Sequence, residues 1–168
     1  ALREFISSVS SGDDNSRFCP PNKRLLASGY LLPSHFTESV GELVIAADTS
    51  GSMGPYYKLL FGEIATMCKQ TNPAAVRILW WDTSVCGDQV FKPEQYGDIA
   101  TLMKPKGGGG TNAACLFDWL RTEHISPQAV VQFTDGEVNS WGRSTWPTIW
   151  AITGDERAPF GTTIKVEV

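Results

Sequence analysis

Five apolar residues, Leu43-Val44-Ile45-Ala46-Ala47, run without a break into Asp48-Thr49-Ser50-Gly51-Ser52. A strand with one wet face alternates apolar and polar side chains, whereas an unbroken run of this kind marks a strand covered on both faces, as in a parallel sheet. A parallel neighbour can be reached only through a crossover of about a dozen residues or more, usually a helix. The rest of the chain supplies such crossovers. Pro55 opens a helix predicted through about Gln70, with Tyr57, Leu60, Phe61, Ile64, Ala65, Met67 and Cys68 recurring at helical spacing. Ala75–Trp81 reads as a second strand, and Gln89–Phe91 as a short third after a turn at Cys86-Gly87-Asp88. Pro93–Met103 reads as helix or irregular connection, and four glycines at 107–110 then break the chain. A helix over Ala113–His124 turns Ala113, Leu116, Phe117 and Leu120 inward; strands follow at Ala129–Phe133 and Thr148–Ile152, and an edge strand at Thr163–Val168. This alternation predicts an α/β fold: a Rossmann-like, mostly parallel open sheet with helices on both faces.

A chain of 168 residues suits one ordinary core rather than two domains. The stretch 1–36, with its polar run from Ser7 to Ser16 and Pro20-Pro21, reads as a linker or the tail of a preceding region, with one helical turn at Leu2 to Ile6. Residues 37–168 form the domain. There is no initiator Met, so the chain is read as a fragment or trimmed product. The formal net charge of -4 and the absence of a Lys/Arg run argue against a nucleic-acid or anionic-membrane binder. No apolar stretch approaches the ~20 residues that cross a bilayer. Cys19, Cys68, Cys86 and Cys115 are widely separated and the only histidines are His35 and His124, which does not fit a zinc cluster. Few, scattered cysteines favour reduced thiols and a cytoplasmic setting.

In an open α/β sheet, ligands bind beyond the carboxyl ends of the strands. Asp48 and Asp135 (in Phe133-Thr134-Asp135-Gly136) each follow a strand, and Thr111 sits in the glycine loop that enters a helix. Ser50, Ser52 and Thr111 offer neutral hydroxyls, and Asp48 and Asp135 offer charge, which is the oxygen chemistry that Mg²⁺ or Mn²⁺ accepts. Two carboxylates against a doubly charged ion leave it electrophilic, able to take one more carboxylate from a partner. Read alone, Asp48–Ser52 is equally the start of a helix, where Asp and Ser cap free N–H groups. Asp82, also after a strand, reads as a turn cap. Trp80, Trp119 and Trp150 read as core. Trp141 and Trp146, with Arg143 between them, and Tyr56 and Tyr57 after the first loop, have two readings: a partner-binding rim beside the metal edge, or a lid folded back over the sheet end.

Asp-x-Ser-x-Ser followed by a distant Thr and a distant Asp resembles the metal-ion-dependent adhesion site (MIDAS) of von Willebrand factor A (VWA) domains. The similarity extends over roughly Lys23 to Val168. It includes Leu31-Leu32-Pro33, Trp81-Asp82-Thr83, Gly107–Thr111, Pro147–Gly154 and Pro159-Phe160-Gly161, and it resembles the C-terminal VWA-like domain of a predicted metallopeptidase family of bacteria and phages. That resemblance implies the VWA fold and a divalent ion held by Asp48, Ser50, Ser52, Thr111 and Asp135. It implies divalent-metal-dependent protein–protein interaction, in which an Asp or Glu of a partner completes the ion's shell. It also implies a metallopeptidase-like region preceding the domain and, by analogy, a MoxR-like AAA+ ATPase as partner. His-Glu-x-x-His is absent, so this fragment is expected to carry no catalysis of its own. Asn112 departs from the acidic residue found after that Thr in related sequences. The alternative is a hydrolase or phosphatase using the metal-edge carboxylates. Against it, haloacid dehalogenases want a second Asp where Ser50 stands, a Walker A loop wants a Lys that Gly110-Thr111 lacks, and Gly-x-Ser-x-Gly does not occur.

Overall fold

The computed structural model describes residues 16–17, 34–35 and 41–166 of the chain. β1 (Ser16–Arg17) and β2 (Ser34–His35) form a two-residue antiparallel pair. The remainder of the extension expected over 1–36, including the turn at Leu2 to Ile6, lies outside the described residues.

Six strands make the main sheet: β3 (Glu42–Asp48), β4 (Ala75–Trp81), β5 (Val85–Phe91), β6 (Ala129–Thr134), β7 (Thr148–Ile152) and β8 (Thr162–Lys165), in the order β5-β4-β3-β6-β7-β8. Every neighbouring pair is parallel except β4–β5. The fold is therefore the mostly parallel α/β sheet expected. The apolar runs of β3 and β6 take the centre, and every residue from Leu43 to Asp48 is buried, as is all of β6.

Strand alternation divides the core in two. Leu43, Ile45 and Ala47 join Val76, Ile78, Trp80 and Val131 beneath α1 (Tyr57–Thr71), which contributes Leu60, Ile64, Met67 and Cys68; Ile99 of α2 (Ile99–Leu102) closes the same face. Val44, Ala46, Leu79, Trp81, Val130 and Trp150 lie on the opposite face beneath α3 (Ala114–Thr122), against Leu116, Phe117 and Leu120. Full burial of each large aliphatic side chain contributes about 1.5–3 kcal/mol, so both helices are pinned by their inward stripes.

Several boundaries differ from expectation for local reasons. A 3₁₀ segment, Gly51–Tyr56, contains Pro55 and precedes α1, so the helix proper begins two residues later. α3 is shorter at both ends than Ala113–His124, and His124 leaves the helix at φ 55°. Pro93–Met103 resolves into a 3₁₀ turn, Pro93–Gln95, and α2. β8 spans Thr162–Lys165 at the sheet edge. The third strand is corrected most. Cys86-Gly87-Asp88 is not a turn but part of β5, which starts at Val85. The turn lies earlier because the Asp82 carboxylate accepts the backbone N–H groups of Thr83 and Ser84. Gly87 serves close packing instead: a Cβ there would stand 2.9 Å from Cδ1 of Trp80.

Candidate functional site

Strand order reverses between β3 and β6: the chain leaves β3 toward β4 on one side and returns to β6 on the other. At such a switch point the two connections diverge and leave a crevice beyond the strands' carboxyl ends. Asp48 is the last residue of β3, and Asp135 follows the last residue of β6, so both carboxylates stand at that crevice.

Hydrogen bonds tie four of the five expected ligands into one network. Asp48 is fully buried; its Oδ1 accepts the Ser50 N–H at 2.8 Å and its Oδ2 accepts the Thr134 hydroxyl at 2.9 Å. Ser50 Oγ and Ser52 Oγ lie 3.0 Å apart, and the Ser52 hydroxyl donates to Asp135 Oδ2. The Glu137 N–H donates to Asp135 Oδ1 at 3.0 Å. Thr111 is the outlier: among the described residues no hydrogen bond joins its hydroxyl to the other four. Its backbone is nevertheless stitched beside the Asp135 loop, since the Asn139 N–H donates to Thr111 O at 2.9 Å and Asn112 bridges Ser140 in parallel. Asn112 holds the start of α3, its Oδ1 accepting the Ala114 N–H at 3.2 Å.

Burial raises the Asp48 carboxyl above the ordinary carboxylate range; hydrogen bonds from Ser50 and Thr134 oppose the rise, and the Asp135 charge adds to it. Tyr57 donates its hydroxyl to Asp48 O at 3.1 Å, and its phenol is pushed up to about 12, by burial first and then by the Asp48 charge. Burial thus disfavours the charged form of Asp48, a cost that a bound cation would relieve. The donor set suits a hard divalent ion. Zinc would want thiolate or imidazole ligands, which none of the five candidates supplies; among the described residues no group of three or more His, Cys, Asp or Glu is placed to hold a metal ion of any kind.

Asp82 is the turn cap expected, and it does more. Its Oδ2 accepts the Gly109 N–H at 3.2 Å, and its carbonyl accepts the Asn112 N–H at 2.8 Å, so it clamps the glycine loop. Partial burial works to raise its carboxyl, but hydrogen bonds from Ser84, Cys86, Thr83 and Gly109 bring it down to about 2. Gly107, at φ 131°, passes so close to β3 that a Cβ would collide with the Thr49 hydroxyl. Sequence reading missed Thr134 and Thr49, whose hydroxyl donates to Trp81 O at 2.9 Å. Nothing in the sequence alone signals Thr134, because its approach to Asp48 depends on the pairing of β3 with β6.

The aromatic rim takes mainly the folded-back arrangement. Trp141 packs edge-on against Trp150 with centroids 4.9 Å apart, and Trp146 is half-buried against the α3-side core. Tyr56 is half-buried against the α1-side core. Arg143 is exposed, its carbonyl accepting from Arg121 Nη2 at 2.6 Å. Trp80 and Trp150 are fully buried core, as expected, and so is Trp81, which was not singled out. Cys68, Cys86 and Cys115 are free thiols, and burial pushes Cys68 and Cys115 up to about 12. No described helix is long and apolar enough to cross a membrane.

A search of curated proteins gives no match. A family model described as VWA-like domain (DUF2201) matches residues 43–167, a span that holds all of the main sheet but Glu42 and all five candidate ligands. VWA-like domains are protein-interaction and metal-binding modules. The chain belongs to the VWA-like domain (DUF2201) family.

Proposed function

We propose that this domain binds a protein partner through a divalent cation, Mg²⁺ or Mn²⁺, held by Asp48, Ser50, Ser52, Thr111 and Asp135. The observation that carries the reading is the network at the β3/β6 switch point, where a fully buried carboxylate, two serine hydroxyls and a second carboxylate converge. When bound, the ion supplies positive charge and an exchangeable position for an acidic side chain of the partner. The protein's own residues set that up. Thr134 and the Ser50 N–H orient the Asp48 carboxylate. Ser52 and the Glu137 N–H orient Asp135. The Asp82 clamp and the bare Gly107 hold the Thr111 loop over the edge. Binding is preferred to hydrolysis as the reading because a phosphatase using Asp48 in the haloacid-dehalogenase manner would want a second Asp where Ser50 stands. An AAA+ ATPase of the MoxR type, in a cytoplasmic setting, is the partner that family analogy offers.

Thermal melting of metal-stripped protein tests this. A ligand that binds only the folded state at 100 times its Kd stabilises it by about 2.7 kcal/mol, so Mg²⁺ should raise Tm by several degrees. Adding a small carboxylate such as glutamate should raise it further with Mg²⁺ present and not in EDTA. An equal Mg²⁺ response in Asp48→Ala would defeat the reading.

A further inference from the structure

Two cavities flank the metal edge, and they carry opposite charge. The larger, about 520 Å³, is lined by Thr111, Gly136, Glu137, Trp141 and Glu156 among others, with no Lys or Arg in its wall. The smaller, about 190 Å³, is lined by Ser50, Gly51, Tyr57, Lys106 and Gly107 among others, with no Asp or Glu. Each touches one candidate ligand, the first Thr111 and the second Ser50.

The acidic side is a shaped surface rather than a loose pair of carboxylates. The Glu156 side chain sits directly on Gly136, where a Cβ would come within 2.8 Å of Glu156 Cβ; only a glycine, here at φ 96°, admits it. The loop that carries Glu156 is fastened to Asp135 through the Gly154 N–H, which donates to Asp135 O at 3.1 Å. Trp141 is braced by Trp150 and forms an aromatic wall of the same cavity. Among the described residues neither Glu137 nor Glu156 makes an ion pair. Two unpaired carboxylates beside a fixed indole are the surroundings that a guanidinium or ammonium group favours, through charge and cation–π attraction together.

We infer that the partner segment is bipolar: its metal-directed Asp or Glu is flanked on one side by an Arg or Lys that enters the Glu137–Glu156–Trp141 cavity, while Lys106 repels a basic residue on the other side. The inference rests on the metal-dependent reading above and adds a direction to it. Complementary charge at a rim chiefly selects partners and speeds their encounter.

Peptides selected from a phage-displayed random library on the intact chain in Mg²⁺ provide the test. Mg²⁺-dependent binders should share an acidic residue with Arg or Lys at a fixed offset on one side. For a synthetic binder, Glu137→Gln with Glu156→Gln should weaken affinity by about tenfold or more at saturating Mg²⁺, with one Mg²⁺ per chain still bound in calorimetry. Replacing the peptide's basic residue with Ala should cost as much on the parent chain and nothing further on the double variant. Mg²⁺-dependent binders with an acidic residue and no basic preference would overturn the bipolar rim and leave the metal reading standing. Loss of a second Mg²⁺ in the double variant would overturn it too, by making the pair a cation site. Binders that persist in EDTA would overturn both readings.

Discussion

Asp48 and Asp82 end neighbouring strands and are tuned in opposite directions. Burial holds the Asp48 carboxyl above its ordinary range, so the folded chain grips that proton more tightly than the unfolded chain does. Its contribution favours the fold at acid pH and is lost as pH rises through the raised value. Chelator-treated protein should therefore lose Tm relative to Asp48→Asn as pH rises past the usual carboxylate range, and Mg²⁺ should restore it. A parallel pH course for the two proteins without metal would show that Asp48 carries no such cost. Asp82 works the other way: its carboxyl is lowered to about 2 by four hydrogen bonds, so its contribution is present above about pH 4 and lost as pH falls toward 2. Asp82→Asn should flatten the acid limb of the stability curve in that window, as followed by circular dichroism. An unchanged acid limb would count against the clamp.

Among the strands, those predicted most closely are the ones covered on both faces. β3, β4, β6 and β7 are apolar runs, and their ends agree with expectation to within a residue. β5 was half-missed because an edge strand paired on one side tolerates Cys86-Gly87-Asp88, a composition that elsewhere marks a turn. The site was legible where a ligand directly follows a buried strand, as Asp48 and Asp135 do. It was illegible where tertiary approach decides, as with the Thr134 hydroxyl on Asp48 or the Gly109 N–H on Asp82. The glycine loop illustrates the difference: four glycines announce a break, but only the fold shows that Gly107 must be bare to pass Thr49. Gly107→Ala should cost roughly 1–3 kcal/mol for the left-handed backbone alone and more for the collision, measured by urea unfolding. A loss below that range would mean the loop relaxes freely. Phe117→Ala on α3, which empties the space between Trp150 and Phe160, should cost about 3–5 kcal/mol. A near-neutral result would show that α3 is not held by that cluster.

For the whole molecule, the governing fact is the reversal of strand order between β3 and β6. Two central strands deliver their carboxylates to one crevice, the glycine loop reaches it from α3, and the loop after β7 is fastened to Asp135. The site is thus a product of topology, and residues more than eighty positions apart meet because a parallel sheet places its strand ends together. The most direct test of that placement is paramagnetic broadening of backbone amide NMR signals by substoichiometric Mn²⁺. Broadening is expected to centre on the amides of Ser50, Ser52, Thr111 and Asp135, to be displaced by Mg²⁺, and to vanish in Asp48→Ala. Broadening centred on Asp155 and Glu156 instead, or unchanged in Asp48→Ala, would contradict the account.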